Sequence, residues 1–279
     1  MIKGIDVSYY QRTVDWPKVK ADGIEFAMIK ATEGVGYTDP NLAVYAKGAT
    51  AAGLHIGAYH FLRAGDAQEQ ARQFMAAIKP YKWDYPLGID VEHNELLTLG
   101  KTKLADMIIA FCEAVKAAGY YPMIYSNLNW CLNYLDMTRL KAYDLWFARY
   151  NETAGYDGVS IWQYSNTGKI DGINGNVDLD ISYKDYPSMI NAVKTAVQID
   201  TTMDISFAHG QYYLVKTISP KPVTLTAGTG GVVTIVPFPR SGDDQLFALV
   251  AIGQAGQETG IFTAVTGEKP LKRFVYKIK

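Results

Sequence analysis

Two cysteines in 279 residues, Cys112 and Cys131, are too few for a disulfide framework or a cysteine-built metal cluster. Both read as reduced structural residues, Cys112 on an apolar helix face. No apolar run approaches the roughly 18 residues of a membrane-spanning helix, so membrane insertion is not expected. The opening residues, MIKGIDVS, enter a strand at once and lack the charged and apolar regions of a signal peptide, so any export is expected to use another route. Charge of either sign is also missing in excess. The net charge is −1, with no basic stripe interleaved with aromatics, and nucleic acid is not an expected partner. Nothing in the sequence calls for a metal or a cofactor.

What remains is a globular chain, 48% hydrophobic and long enough for one large domain or two smaller ones. Its 20 Tyr and 5 Trp suit a sugar ligand, although aromatics also fill cores. The most informative stretch is Tyr85 to Glu95, YPLGIDVEHNE. Pro86 to Val91 is apolar without polar alternation, the pattern of a strand buried on both faces of a parallel sheet. Asp90 and Glu92 end it. Side chains alternate along a strand, so the two acids share a face, with Cα atoms about 6.6 Å apart at about 3.3 Å per residue. Carboxyl pairs that split glycosidic bonds stand about 5 to 9.5 Å apart, one protonated as acid and the other ionised. An isolated D-x-E is also explained by a helix-capping Asp beside a solvated Glu, so the flanking sequence decides.

Eight strands are expected: Ile2 to Ser8, Phe26 to Thr32, His55 to Leu62, Pro86 to Glu92, Tyr121 to Asn127, Asp144 to Tyr150, Ser160 to Ser165 and Val177 to Tyr183. Helices alternate with the early ones. Asp39-Pro40 reads as the N-cap and first residue of one, Asp66 with Glu69 as a capping-box-like start to another that stops before Pro80, and Thr102 to Ala118 as the longest, terminated by Gly119. Eightfold alternation predicts a β/α barrel with its chemistry at the C-terminal strand ends. The short links after Tyr150 and Ser165 leave no room for crossover helices, so the late part is expected to be irregular and to admit an antiparallel strand. The expected strand ends bring together Asp6, Asp90, Glu92 and Asp178, while Asp180 is expected to face away or to cap a turn. Tyr59, Phe61, Tyr125, Trp146 and Trp162 join the acids, together with Tyr150 and Tyr164. Rings that stack on pyranose faces beside carboxylates suit a sugar polymer.

The segments GIDVSYYQ, IKATEG, GAYHF, GIDVE, MIYSN, LWFARY, IWQYS and NVDLDIS, in this order and spacing, closely resemble glycoside hydrolase family 25, the N-acetylmuramidases or Chalaropsis-type lysozymes. The resemblance covers residues 1 to 187. It implies an irregular β/α barrel that hydrolyses the β-1,4 bond between N-acetylmuramic acid and N-acetylglucosamine in peptidoglycan. By the same resemblance Glu92 is the general acid, Asp90 its companion carboxylate, and Asp6 and Asp178 supporting aspartates. Tyr59, Phe61, Tyr125, Trp146, Trp162 and Gln163 are the expected substrate-binding residues. A chitinase-like or endo-N-acetylglucosaminidase barrel is the rival enzyme, but its longer D-x-x-D-x-D-x-E approach is missing, since Pro86, Leu87, Gly88 and Ile89 precede Asp90. A non-catalytic carbohydrate-binding protein on the same fold is a further alternative.

Residues 188 to 200 read as a linker, with a short amphipathic helix from Ser188 to Gln198 carrying Met189, Ile190, Val193 and Val197 on one side. From 201 to 279 the texture is all-β, with seven expected strands that fit a small sandwich or barrel. Residues 189 to 279 hold 9 Lys+Arg against 6 Asp+Glu, whereas residues 1 to 188 hold 18 against 22. A basic β module lacking carboxylate pairs is expected to bind, through anionic wall polymers, rather than to catalyse. The implied setting is a phage endolysin, made in the host cytoplasm and released to the wall by a holin, with a bacterial autolysin as alternative.

Overall fold

The computed structural model describes residues 1–195, 197–265 and 270–279, the side chains of 191–195 excepted, and Val193 therefore lies outside the described side chains. Two compact units divide the chain, Met1–Ile190 and Asn191–Lys279.

The first unit is built on nine strands: β1 (Ile2–Val7), β2 (Phe26–Glu33), β3 (Tyr37–Thr38), β4 (His55–Phe61), β5 (Leu87–Asp90), β6 (Pro122–Asn127), β7 (Asp144–Ala148), β8 (Val159–Gly168) and β9 (Val177–Ser182). Seven of them, β1, β2 and β4 to β8, run as one parallel series, and β9 lies antiparallel to both β8 and β1. Because β1 also pairs with β2, the sheet closes into an eight-stranded barrel, with β3 added as a hairpin on β2. The irregular, partly antiparallel barrel expected from the short late connections is thus observed. Helices α1 (Trp16–Ala21), α2 (Leu42–Ala51), α3 (Ala67–Ile78), α4 (Gly100–Ala117), α5 (Leu128–Asn133) and α6 (Met137–Leu140) fill the earlier connections. Asp66 caps α3 by accepting from the N–H groups of Gln68 and Glu69. Asp39 does not cap α2: its carboxylate takes the N–H groups of Asn41 and Tyr9, and the helix starts at Leu42.

Strand parity sorts the core into two. Outward residues such as Ile5, Ile29, Ala58, Ile89 and Phe147 pack against the helices, while Phe26, Met28, Tyr59, Met123, Tyr125 and Trp146 fill the barrel. Glycines make that interior possible. A Cβ on Gly4 would lie 2.2 Å from the Phe26 ring, and one on Gly57 would lie 2.5 Å from Met28 Sδ. Small residues thus face large ones across the barrel. Its lower end is closed by Tyr186, the first residue of α7 (Tyr186–Thr195), whose hydroxyl donates to Asp144 Oδ2 at 2.8 Å.

The second unit is a sandwich of two four-stranded sheets. One is ordered β10 (Gln198–Ile199), β12 (Tyr212–Ile218), β15 (Asp244–Ala251), β14 (Val233–Pro237); the other β11 (Ile205–Phe207), β17 (Leu271–Ile278), β16 (Glu258–Val265), β13 (Val223–Ala227). Val215, Phe247 and Leu249 from the first sheet and Ile261, Phe274 and Tyr276 from the second share its core. All seven expected strands are present. The eighth, β10, starts at Gln198, a residue expected to end a helix; α7 stops at Thr195.

Candidate active site

The carboxylate pair sits where the fourth strand of the barrel, β5, meets the barrel mouth. Leu87 and Ile89 point outward into the helix layer, leaving Gly88 and Asp90 inward. The strand ends at Asp90, but Val91 N–H still donates to Tyr125 O at 3.0 Å and Ser126 Oγ donates to Val91 O at 2.7 Å. This continued pairing keeps the alternation for one more step and turns Glu92 to the side of Asp90. Asp90 is buried, and its Oδ1 has no hydrogen-bond partner among the described residues. Glu92 is half-buried and accepts from Asn127 Nδ2 at 3.3 Å.

Burial sets the proton affinities here. Asp90 is raised well above the usual carboxyl range by desolvation, then by the Glu92 charge, with Lys30 opposing. Glu92 is also raised by desolvation, against the lowering effects of Asn127 and Lys30. Two neighbouring acids that both resist ionisation behave as a pair holding one proton. Lys30 is the nearby cation, buried on β2, its Nζ 2.7 Å from Glu33 Oε2 and 4.8 Å above the Phe61 ring.

Asp6 and Asp178 lie directly opposite each other on β1 and β9. Asp6 is held by Gln163, whose Nε2 donates to Oδ2 at 2.7 Å. The same amide's Oε1 accepts from Tyr125 and Tyr150 hydroxyls at 3.0 Å each, so Gln163 ties β6, β8 and the segment after β7 to one carboxylate. Desolvation, followed by the Asp178 charge, raises Asp6; desolvation, followed by Glu92, raises Asp178 to about 6.

Two open clefts lie near this end of the barrel, and Glu92 lines the smaller. One of about 580 Å³ is lined by Tyr9, Tyr10, Lys30, Tyr37 and Arg63; the other, of about 290 Å³, by Glu92, Asn127, Arg149 and Tyr150. Across the larger cleft Arg63 bridges Glu33 at 3.2 Å and Glu95 at 2.8 Å.

The structure brings Asp6, Asp90, Glu92 and Asp178 to one end of the barrel, and places Tyr59, Phe61, Tyr125 and Gln163 around them. Two expected substrate contacts stand elsewhere. Trp162 is adjacent to Gln163 and so points the other way, into the outer helix-packed core, with Nε1 donating to Arg149 O. Trp146 does point inward but is 1% exposed and packed edge-on to Tyr59 and Tyr125, which leaves no ring face for a sugar. Among the described residues the most exposed rings lining the clefts are Tyr10, 71% exposed, and Tyr150, 53% exposed, with Tyr9 and Tyr37 beside Tyr10. Asp180 is likewise corrected: instead of facing away it points inward beneath Asp178, and its Oδ1 accepts from Trp146 Nε1 at 2.7 Å. Lys30, Asn127 and Asp180 were all reachable by counting in twos from Met28, Tyr125 and Asp178. Arg63 sits in a loop and Tyr10 in a single 3-10 turn, Tyr9–Gln11, where no such count applies.

Residues 5–173 match the family described as Glycosyl hydrolases family 25. The chain is similar to an autolytic lysozyme of Clostridium acetobutylicum, 37% identical over 186 residues that make up 64% of this chain and 55% of that one. It therefore spans little more than half the length of that relative. It is also similar to a D-alanyl-L-alanine endopeptidase of Streptococcus phage B30, 26% identical over 206 residues, 66% of this chain and 45% of the phage protein. Among solved structures it is similar to the bacterial lysozyme from Streptomyces coelicolor, with a TM-score of 0.59 and 28% identity over 69% of this chain and 96% of that chain.

Proposed function

The chain belongs to glycosyl hydrolases family 25, and from that premise we propose that it is an N-acetylmuramidase that cleaves the β-1,4 bond between N-acetylmuramic acid and N-acetylglucosamine in bacterial peptidoglycan. One observation carries the reading: a buried Asp90 and a half-buried Glu92, two residues apart at the mouth of the barrel, with Glu92 lining an open cleft. Glu92 is the general acid. It faces the opening, and its raised proton affinity keeps it protonated closer to neutrality, ready to protonate the leaving sugar oxygen. Asp90 stands on the other side of the reaction. Its unpartnered Oδ1 suits a role in orienting the substrate's acetamido group, whose N–H is the donor the free protein lacks; attack on the anomeric carbon or activation of water by the same carboxylate are the other routes open to such a pair. Asp6 and Asp178 support the developing charge, and Gln163 fixes Asp6.

Residues 201–279 serve as a wall-binding module, contacting anionic wall polymers through a modest basic excess, and the setting is lysis by a phage endolysin released by a holin. The similarity to a Streptococcus phage protein supports that setting. No cofactor takes part in the proposed reaction. The test is chemical: digest purified walls, reduce with borohydride and identify the new sugar alcohol. Muramitol is the expected product, whereas glucosaminitol would replace the muramidase reading with a glucosaminidase.

A further inference from the structure

The chemistry proposed above makes no use of Asp180, although this carboxyl is 0% exposed inside the barrel. Its two oxygens are treated differently. Oδ1 receives the indole N–H of Trp146 at 2.7 Å. Oδ2 is sealed from solvent and no donor among the described residues faces it. What lies within hydrogen-bonding reach is another acid, Asp6, which strand register places two residues along β1 from Gly4, the residue opposite Asp180. Asp6 already has an amide donor of its own in Gln163 Nε2, at 2.7 Å. Two ionised carboxylates in contact, out of water, would repel each other and leave Oδ2 with nothing to accept from. A single proton held between the two removes both penalties, because it gives the orphan oxygen a hydrogen-bond partner.

We propose that Asp180 and Asp6 hold one proton between them through the buried Oδ2 of Asp180, an acid–acid bridge that keeps Asp6 aligned on Gln163 beneath the reaction centre. Asp180 is thus a positioning residue that acts through Asp6. The groups that face it agree. Desolvation first, and the charge of Asp178 on its own strand, push Asp180 up to about 8, against the lowering effect of the Trp146 hydrogen bond and of Asp6 on β1. The phenols of Tyr150, after β7, and of Tyr164, on β8, also sense its charge, and among the described residues no Lys or Arg enters this set. A proton on the Asp6–Asp180 pair therefore persists through neutral pH, since burial raises both members, and its loss would leave two buried charges in contact beside Asp178.

Asp180→Asn separates this role from a merely structural one, because the amide oxygen still accepts from Trp146 while the NH2 group still donates to Asp6. The direct measurement is the indole N–H resonance of Trp146 in full-length protein labelled at tryptophan nitrogen, assigned with Trp146→Phe. In wild type it should move through an inflection near pH 8, and in Asp180→Asn it should stay still. Kinetically, Asp180→Ala should lower kcat at least about tenfold with little change in KM, and Asp180→Asn should recover most of that loss. The proposal is overturned if the wild-type resonance is flat between about pH 5 and 10, if the inflection survives in Asp180→Asn, or if Asn and Ala lose kcat equally. The catalytic arm rests on the muramidase reading. The titration needs no substrate, and stands or falls apart from it.

Discussion

Glu92 and Asp90 differ in depth by one step of a strand, and the proposed division of labour follows that step. The deeper residue has an oxygen with no partner, and the shallower one has Asn127 and a path to the cleft. Glu92→Gln should leave the fold intact and lower the rate of wall hydrolysis about 10² to 10⁴-fold, the usual contribution of a general acid. Clearing of cells at more than about a tenth of the wild-type rate would assign the proton to another group. Asp178 supplies a second test, through stability. Its folded value of about 6 lies above the ordinary 3.8. The folded state therefore holds the proton more tightly than the unfolded chain, and this contribution is fully present below the unfolded value and lost as pH rises through about 6. Asp178→Asn should remove that loss. We expect Tm to rise by a few degrees at about pH 8 and to be unchanged near pH 4, while turnover falls. Equal melting shifts at both pH values would show that Asp178 ionises as freely in the fold as in the unfolded chain.

At the scale of elements, the barrel interior depends on what is left out of its strands. Gly4 gives its space to the Phe26 ring, and Gly57 gives its space to Met28. Gly4→Ala should therefore cost about 1–3 kcal/mol in urea unfolding, as overpacking does, and Phe26→Leu should recover part of it in the double variant. Additive losses would mean that the clash is relieved by a shift of backbone instead. The same alternation accounts for what was and was not legible beforehand. It placed Asp90 and Glu92 on one face from sequence alone. Applied to Asp178 and Asp180, it would have turned both inward, and applied to Trp162 and Gln163, it would have separated them. Reading Asp180 as a turn cap and Trp162 as a sugar contact let residue type override geometry.

For the whole molecule, the two compact units meet in the chain at Ile190 and Asn191. The first unit contains every residue assigned to the reaction, and its barrel floor is completed by Tyr186, hydrogen-bonded to Asp144. A chain ending at Lys194 keeps that floor and should fold, retaining its rate on soluble peptidoglycan fragments. On intact cells it should lose about 10²-fold, because a tethered wall-binding module raises the local concentration of substrate. Cutting before Tyr186 should instead destabilise the barrel itself. Residues 196 to 279 fused to a fluorescent protein should label susceptible cells, less so at high salt. Unlabelled cells together with full lysis by the truncated enzyme would remove the targeting role.

The sequence by itself determined the order of strands, the barrel class with its irregular end, the all-β second region and the position of the acid pair, because these follow from local periodicity and from segments that read in order. It could not determine which aromatics are open to a sugar. Tyr59, Tyr125 and Trp146 carry the right rings, but the closed barrel packs them edge-on against one another, and the segments that follow the strands at its mouth leave Tyr10 and Tyr150 exposed. Tertiary structure also decided the protonation of the acids. Asp6 and Asp180 are 174 residues apart in the chain, and become neighbours only when β9 turns antiparallel and closes the sheet against β1. Proton affinity at such a site is set by burial and by charges brought from distant strands, and neither quantity exists before the barrel has closed.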